Sequence, residues 1–169
     1  MIKEMIIKWA KEVIPYILIV LVVLLIRKYI VTPVRVNGSS MDPTLINKEV
    51  LMLEKFNRKY ERFDIVVLLN QKDRLVKRVI GLPGEHIKYK DNKLYINNKV
   101  VEEVNFHETY EFYLEDLGYD IIPDGYYFVL GDNRENSVDS RIIGLVNEKQ
   151  MLGTVRLRIF PFNKIGFID

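Results

Sequence analysis

An uncharged run of 14 residues, Val13–Ile26 (VIPYILIVLVVLLI), constrains this chain more than any other stretch. Lys8 and Lys11 precede it and Arg27 and Lys28 follow it. As a helix it extends about 21 Å at ~1.5 Å per residue, short of a hydrocarbon core of ~30 Å. Two readings follow. One is a buried helix of a soluble protein. The other is a membrane anchor from about Trp9 to Val31, with Trp9, Tyr16 and Tyr29 at the interfaces and Lys11, Arg27 and Lys28 reaching outward. Pro15 is tolerable in the first turns of such a helix. A cleaved leader would need small residues after the run. The sequence there is RKYIVTPV, bulky and charged, so an uncleaved anchor is expected. Basic residues before and after the run lean only weakly towards an N-terminus inside.

Charge divides the chain at the same place. Residues 1–31 hold five basic and two acidic groups, whereas the other 138 residues hold 20 basic and 21 acidic. The net charge of +2 thus describes no single surface, and no basic face suggests a nucleic-acid partner. There is no cysteine, which removes disulfide scaffolds, Cys-based zinc sites and thiol nucleophiles. His86 and His107 are the two imidazoles, too few for a His-rich metal site, and both lie in polar, turn-rich stretches that read as solvated surface.

After Pro33 the texture changes to short β-branched and aromatic runs: residues 34–38, 49–56, 63–69, 74–82, 93–97 and 126–131. Asp91-Asn92 and Asn97-Asn98 punctuate hairpins, and Pro83-Gly84 and Pro123-Asp124-Gly125 are turns. Residues 109–117 and 147–152 could each form a short helix. The expected fold is mainly β, with antiparallel sheets packed together or partly closed as a barrel, over residues 32–169, preceded by one transmembrane helix within residues 1–31.

Three stretches carry candidate chemistry. In GSSMDPTL (38–45), Gly38 and Pro43 bracket two serines on a sharp turn, the setting that exposes a nucleophile beside free amides. An ordinary Ser-rich turn has the same composition. In LVKRVIG (75–81) two adjacent cations interrupt an apolar strand, and alternation puts them on opposite faces, so one of them points inward or into a cleft. A buried Lys77 would lose charge and gain basicity at neutral pH, whereas an edge-strand lysine would only reach for solvent. GDNRENSVDSR (131–141) is a polar loop directly after an apolar strand and either satisfies its groups internally or is solvated.

Taken together and in this order, these stretches resemble the boxes of bacterial type I signal peptidases. GSSMDPTL resembles the nucleophile box, FDIVV (63–67) the core strand, KRVIGLPGE (77–85) the general-base box and GDNRENSVDSR the closing box. Gly38, where some family members carry Ser, matches the shorter Gram-positive type. The resemblance implies Ser40 as nucleophile and Lys77 as base, with Arg78 a non-catalytic neighbour. It implies that Ser137 orients the Lys77 amine, that Asp139 pairs with Arg141, and that Asp132 also holds the loop. The oxyanion would be held at Ser40 and Gly38. Val34, Val36, Met41, Leu75 and Val76 would line shallow pockets for small side chains. The implied activity is removal of signal peptides from secretory preproteins after small-x-small sites, at the lipid bilayer, without metal or cofactor. The N-terminus would be cytoplasmic and the catalytic domain extracytoplasmic. Two rivals remain: a soluble self-cleaving Ser/Lys peptidase, and an inactive membrane-tethered scaffold homologue.

Overall fold

The computed structural model describes residues 2–56, 59–103 and 108–168, with residues 2–8 and 10 described as backbone only. His107 lies outside the described residues. The chain opens with helix α1, Ile2–Tyr29, about 42 Å long at ~1.5 Å per residue. Val13–Ile26 lie within it, and their described side chains are exposed. Among the described residues no helix is long and apolar enough to cross a membrane. The expected transmembrane helix therefore exists as a helix, but its apolar part is shorter than the helix itself. Charged Lys11, Glu12, Arg27 and Lys28 close it off at both ends.

Everything after α1 is dominated by antiparallel strands. The larger sheet contains β1 (Val31–Arg35), β2 (Val50–Glu54), β3 (Ile65–Asn70), β4 (Asp73–Gly81), β9 (Tyr126–Leu130), β10 (Val146–Asn147), β11 (Met151–Phe160) and β12 (Gly166–Phe167). Its order is β1-β2-β11-β3-β4-β9-β10, with β12 paired to β11. The smaller sheet runs β7-β6-β5-β8, from β5 (Ile87–Lys90), β6 (Lys93–Ile96), β7 (Lys99–Val101) and β8 (Phe112–Tyr113). Among the described residues both sheets are open, ending in unpaired edges, so the expectation of a partly closed barrel is corrected.

Local chemistry explains the hairpins. Asp91 and Asn92 have φ of 50° and 59°, and Asn97 and Asn98 have 51° and 63°. Positive φ at both central residues gives the turn whose twist suits a two-residue hairpin, and Asn and Asp tolerate it. These turns join β5 to β6 and β6 to β7. Where short helices were expected the chain breaks up. Residues 112–113 extend as β8 before one 3₁₀ turn, Leu114–Leu117, and Asn147 ends β10 and caps a 3₁₀ turn, Glu148–Gln150.

Val34, Val36, Met41, Leu45, Leu51, Val67 and Val76 pack in one core cluster beneath β1 and the turn that follows it. A second cluster joins the smaller sheet to β9 through Ile80, Ile87, Tyr89, Phe112 and Phe128. The Ser-rich turn is therefore anchored from below by Met41 and Leu45, which are 1% and 0% exposed. Its neck is closed by Val36 N–H to Glu49 O (2.8 Å) and Lys48 N–H to Val36 O (2.9 Å).

Candidate active site

Strand β4 is buried on both faces from Val76 to Gly81, and its two cations meet that burial differently. Lys77 is 2% exposed. Its Nζ lies 2.7 Å from Ser40 Oγ and donates to Val76 O at 3.0 Å. Burial strips water from the ammonium and lowers its pKa from 10.5 to about 8, against the opposing pull of Asp139 and Asp132. At pH 7 about one molecule in ten then carries a neutral amine there, compared with fewer than about one in a thousand for a free lysine. Arg78 is also buried. It makes two parallel bonds to Asp132, Nε to Oδ1 at 3.0 Å and Nη2 to Oδ2 at 2.8 Å, and a third to Phe63 O at 2.9 Å.

The loop after β9 closes over the pair. Asp139 accepts from Gly131 N–H (3.1 Å), from the Arg141 guanidinium (2.9 and 2.8 Å) and from the Arg141 backbone (3.3 Å), where it caps the short helix α2, Ser140–Ile143. Asn133 holds the nucleophile turn from the other side. Its N–H donates to Ser40 O at 3.1 Å, and its side-chain amide donates to Ser39 O at 3.2 Å. A hydroxyl on a fixed turn, with a poorly solvated amine from a buried strand at hydrogen-bond distance, is equipped for proton abstraction and attack on a carbonyl.

The family model for signal peptidase, peptidase S26, matches residues 6–160. The chain belongs to this family. Among S26 relatives, signal peptidase I S of Bacillus subtilis (strain 168) is 41% identical over 175 residues, covering 96% of this chain and 94% of the relative. Signal peptidase IB of Staphylococcus aureus (strain MRSA252) is 38% identical over 165 residues, 86% of each chain. The solved structure of a signal peptidase I from Enterococcus faecalis V583 superposes with a TM-score of 0.52 at 39% identity, covering 57% of this chain and 96% of that one. As an S26 member the chain is a peptide-bond hydrolase.

The structure brings most of the expected residues together and adds contacts that the sequence did not show. Ser137 is buried, but its Oγ has no hydrogen-bond partner among the described residues, so it is not bonded to Lys77, whose bonds go to Ser40 and Val76 O. Gly38 N–H is engaged by Asn47 Oδ1 at 3.2 Å, which takes it out of use as an oxyanion donor. Of the five expected pocket residues, Val34, Leu75 and Val76 line a cleft of about 730 Å³ together with Pro33, Arg35, Asn37 and Lys72 to Arg74. Val36 and Met41 lie in the same core cluster as Val34 and Val76. Arg78, expected to be a mere neighbour, is half of a buried ion pair. His86 is not simply solvated: it pairs with Glu115 at 2.9 Å.

Arg134 was missed by sequence reasoning. Its side chain is wholly buried and donates to Gly131 O (3.0 Å), Tyr89 OH (3.2 Å), Thr109 Oγ1 (2.5 Å) and Glu103 Oε1 (2.7 Å), while Arg141 donates to its carbonyl at 2.6 Å. These bonds tie the closing loop to the smaller sheet and the segment beyond it. The available signal was an arginine in the middle of a loop rich in Asp, Asn and Ser.

Proposed function

We propose that the chain removes signal peptides from secretory preproteins by an acyl-enzyme route, with Ser40 as nucleophile and Lys77 as general base. The 2.7 Å approach of a buried, pKa-lowered amine to a serine hydroxyl supports this most directly. Neutral Lys77 takes the Ser40 proton as Oγ attacks the scissile carbonyl. The resulting ammonium gives that proton to the departing amine, and the restored amine activates the water that frees the acyl group. Ser40 N–H, which has no acceptor among the described residues, is the backbone donor for the oxyanion. Asp132, Asp139 and Arg141 hold the closing loop, and Ser137 fills the space beside Gly131 against the backbone of Ser40.

The substrate route follows from strand edges. β4 pairs with β3 along Asp73–Arg78 but with β9 only from Arg78 onward, so Asp73–Lys77 has one free edge. β1 has a single neighbour, β2. Both free edges border the cleft of about 730 Å³, whose wall ends at Val76, one residue before Lys77, and an extended peptide can add to them as a strand. Val34, Leu75 and Val76 leave room there for small side chains, which fits cleavage after small-x-small sequences such as Ala-x-Ala.

Residues 1–31 act as the membrane tether and residues 32–169 as the catalytic domain. The exposed apolar face of α1 meets lipid, while Lys11, Arg27 and Lys28 reach to its surfaces. In this reading the N-terminus is cytoplasmic and the catalytic domain extracytoplasmic. The deciding experiment incubates detergent-solubilised chain with a preprotein bearing an Ala-x-Ala site, beside Ser40→Ala and Lys77→Ala. Cleavage by the parent and by neither variant is expected. Cleavage that persists in either variant overturns the dyad, and an inactive parent favours a scaffold role.

A further inference from the structure

At the foot of α1 lies a cavity of about 460 Å³ that no step of the proteolytic reaction uses. Three lysines from separate elements line it: Lys28 from the last turn of α1, Lys55 just past β2, and Lys149 from the turn before β11. Glu148 is the one acid on its wall, and Tyr29 and Met151 supply apolar surface. The end of a helix presents free carbonyls and a negative dipole, which would repel an anion. Lys55 removes that obstacle, because its ammonium donates to Arg27 O at 3.2 Å and to Lys28 O at 3.3 Å. An ammonium has three N–H bonds, so one is left over. Lys28 and Lys149 are exposed, and neither has a carboxylate partner among the described residues. Lys28 rests over the Tyr29 ring, 4.9 Å from its centroid.

The position of the cavity selects its ligand. Lys28 and Tyr29 follow within one turn of Ile26, where the exposed apolar run ends. With α1 in a bilayer, that places the cavity at headgroup depth, where basic pockets beside membrane helices take lipid phosphates. We propose that this cavity binds the phosphate group of an anionic phospholipid. The proposal rests on the membrane tether of the function proposed above. A lipid seated here is gripped by the helix and by the β domain at once, which fixes the tilt of one against the other.

The test titrates the full chain in nonionic detergent micelles with phosphatidylglycerol and follows saturation by calorimetry. Oleate serves as a carboxylate of equal charge without phosphate, and inorganic phosphate as the free anion. Saturable binding of about one phosphatidylglycerol per chain is expected, weakened about fivefold by Lys28→Gln and by Lys149→Gln. Glu148→Gln should tighten it, and Lys93→Gln, on the smaller sheet outside the cavity, should leave it unchanged. Oleate binding as tightly as phosphatidylglycerol, or Lys93→Gln weakening it as much, reduces the effect to general surface charge and overturns the site. Inorganic phosphate binding as tightly overturns the lipid assignment. Cleavage of an Ala-x-Ala preprotein in the same micelles, and flotation of the parent with phosphatidylcholine vesicles, report on the proposed function and tether separately. Loss of either with the titration intact counts against those readings, whereas a flat titration with both intact counts against this one.

Discussion

Lys77 and Arg78 are neighbours in one strand, both buried, and their side chains have opposite fates: Arg78 is clamped by the carboxylate of Asp132, whereas Lys77 ends at the hydroxyl of Ser40. Strand alternation separates them, and the difference in partners decides their chemistry. A guanidinium paired in two bonds stays charged, while a lysine without a direct carboxylate partner is free to lose its proton.

With neutral Lys77 as the proposed base, activity is expected to rise with pH through about 8, the value to which burial lowers its pKa. Asp139 and Asp132 both pull that value upward, so Asp139→Asn should move the rising limb to lower pH. The profile of kcat/KM against pH measures both effects. A limb near the ordinary lysine value would mean that the amine is not desolvated in the working enzyme.

The same shift has a stability signature. Between about 8 and 10.5 the unfolded chain holds a proton at Lys77 that the folded chain lacks, so stability rises with pH across that window. Below it the cost of the buried amine is about 3 kcal/mol at ~1.36 kcal/mol per pKa unit. Lys77→Met should therefore stabilise the fold at pH 7 by up to about that amount, with the gain gone near pH 10.5, while abolishing cleavage. Urea unfolding at the two pH values is the check.

Gly131 sits where no side chain fits. A Cβ built there would lie 2.2 Å from Ser137 Oγ and 2.4 Å from Ser40 O. Gly131→Ala should cost about 1–3 kcal/mol in overpacking and push the Ser40 turn away from Lys77, lowering kcat. Adding Ser137→Ala should recover some stability but not the rate, since the clash with the Ser40 carbonyl remains.

Breaking the buried pair should cost more than any surface change. Arg78→Met leaves Asp132 buried without its partner, at about 3–5 kcal/mol. Arg78→Met combined with Asp132→Leu should restore much of that stability while leaving the closing loop without its clamp. Thermal unfolding of the two variants separates charge burial from packing.

The sequence carried the site further than the fold. Ser40, Lys77, Asp139 and Arg141 are close in space because two loops and one strand converge, and each loop has a distinctive local composition. β11 escaped notice although it is the longest strand and lies between β2 and β3. Its run MLGTVRLRIF alternates only over Val155–Ile159, and register changes against both neighbours interrupt the pattern along the rest. Ser137 shows the limit from the other side: a residue type fitting for a hydrogen bond to Lys77 is present, but backbone packing against Gly131 decides what its hydroxyl reaches.

The free edges of β1 and β4 carry a hazard as well as a use. A bare strand edge that can accept a substrate can equally accept another copy of itself, and chains with open edges tend to stack. Arg35, Lys72, Asp73 and Arg74 line the gap between the two strands. A second folded copy would have to bring the same charges against them, whereas the small, uncharged end of the proposed substrate brings none. The gap is guarded against the enzyme's own kind and left open to its prey.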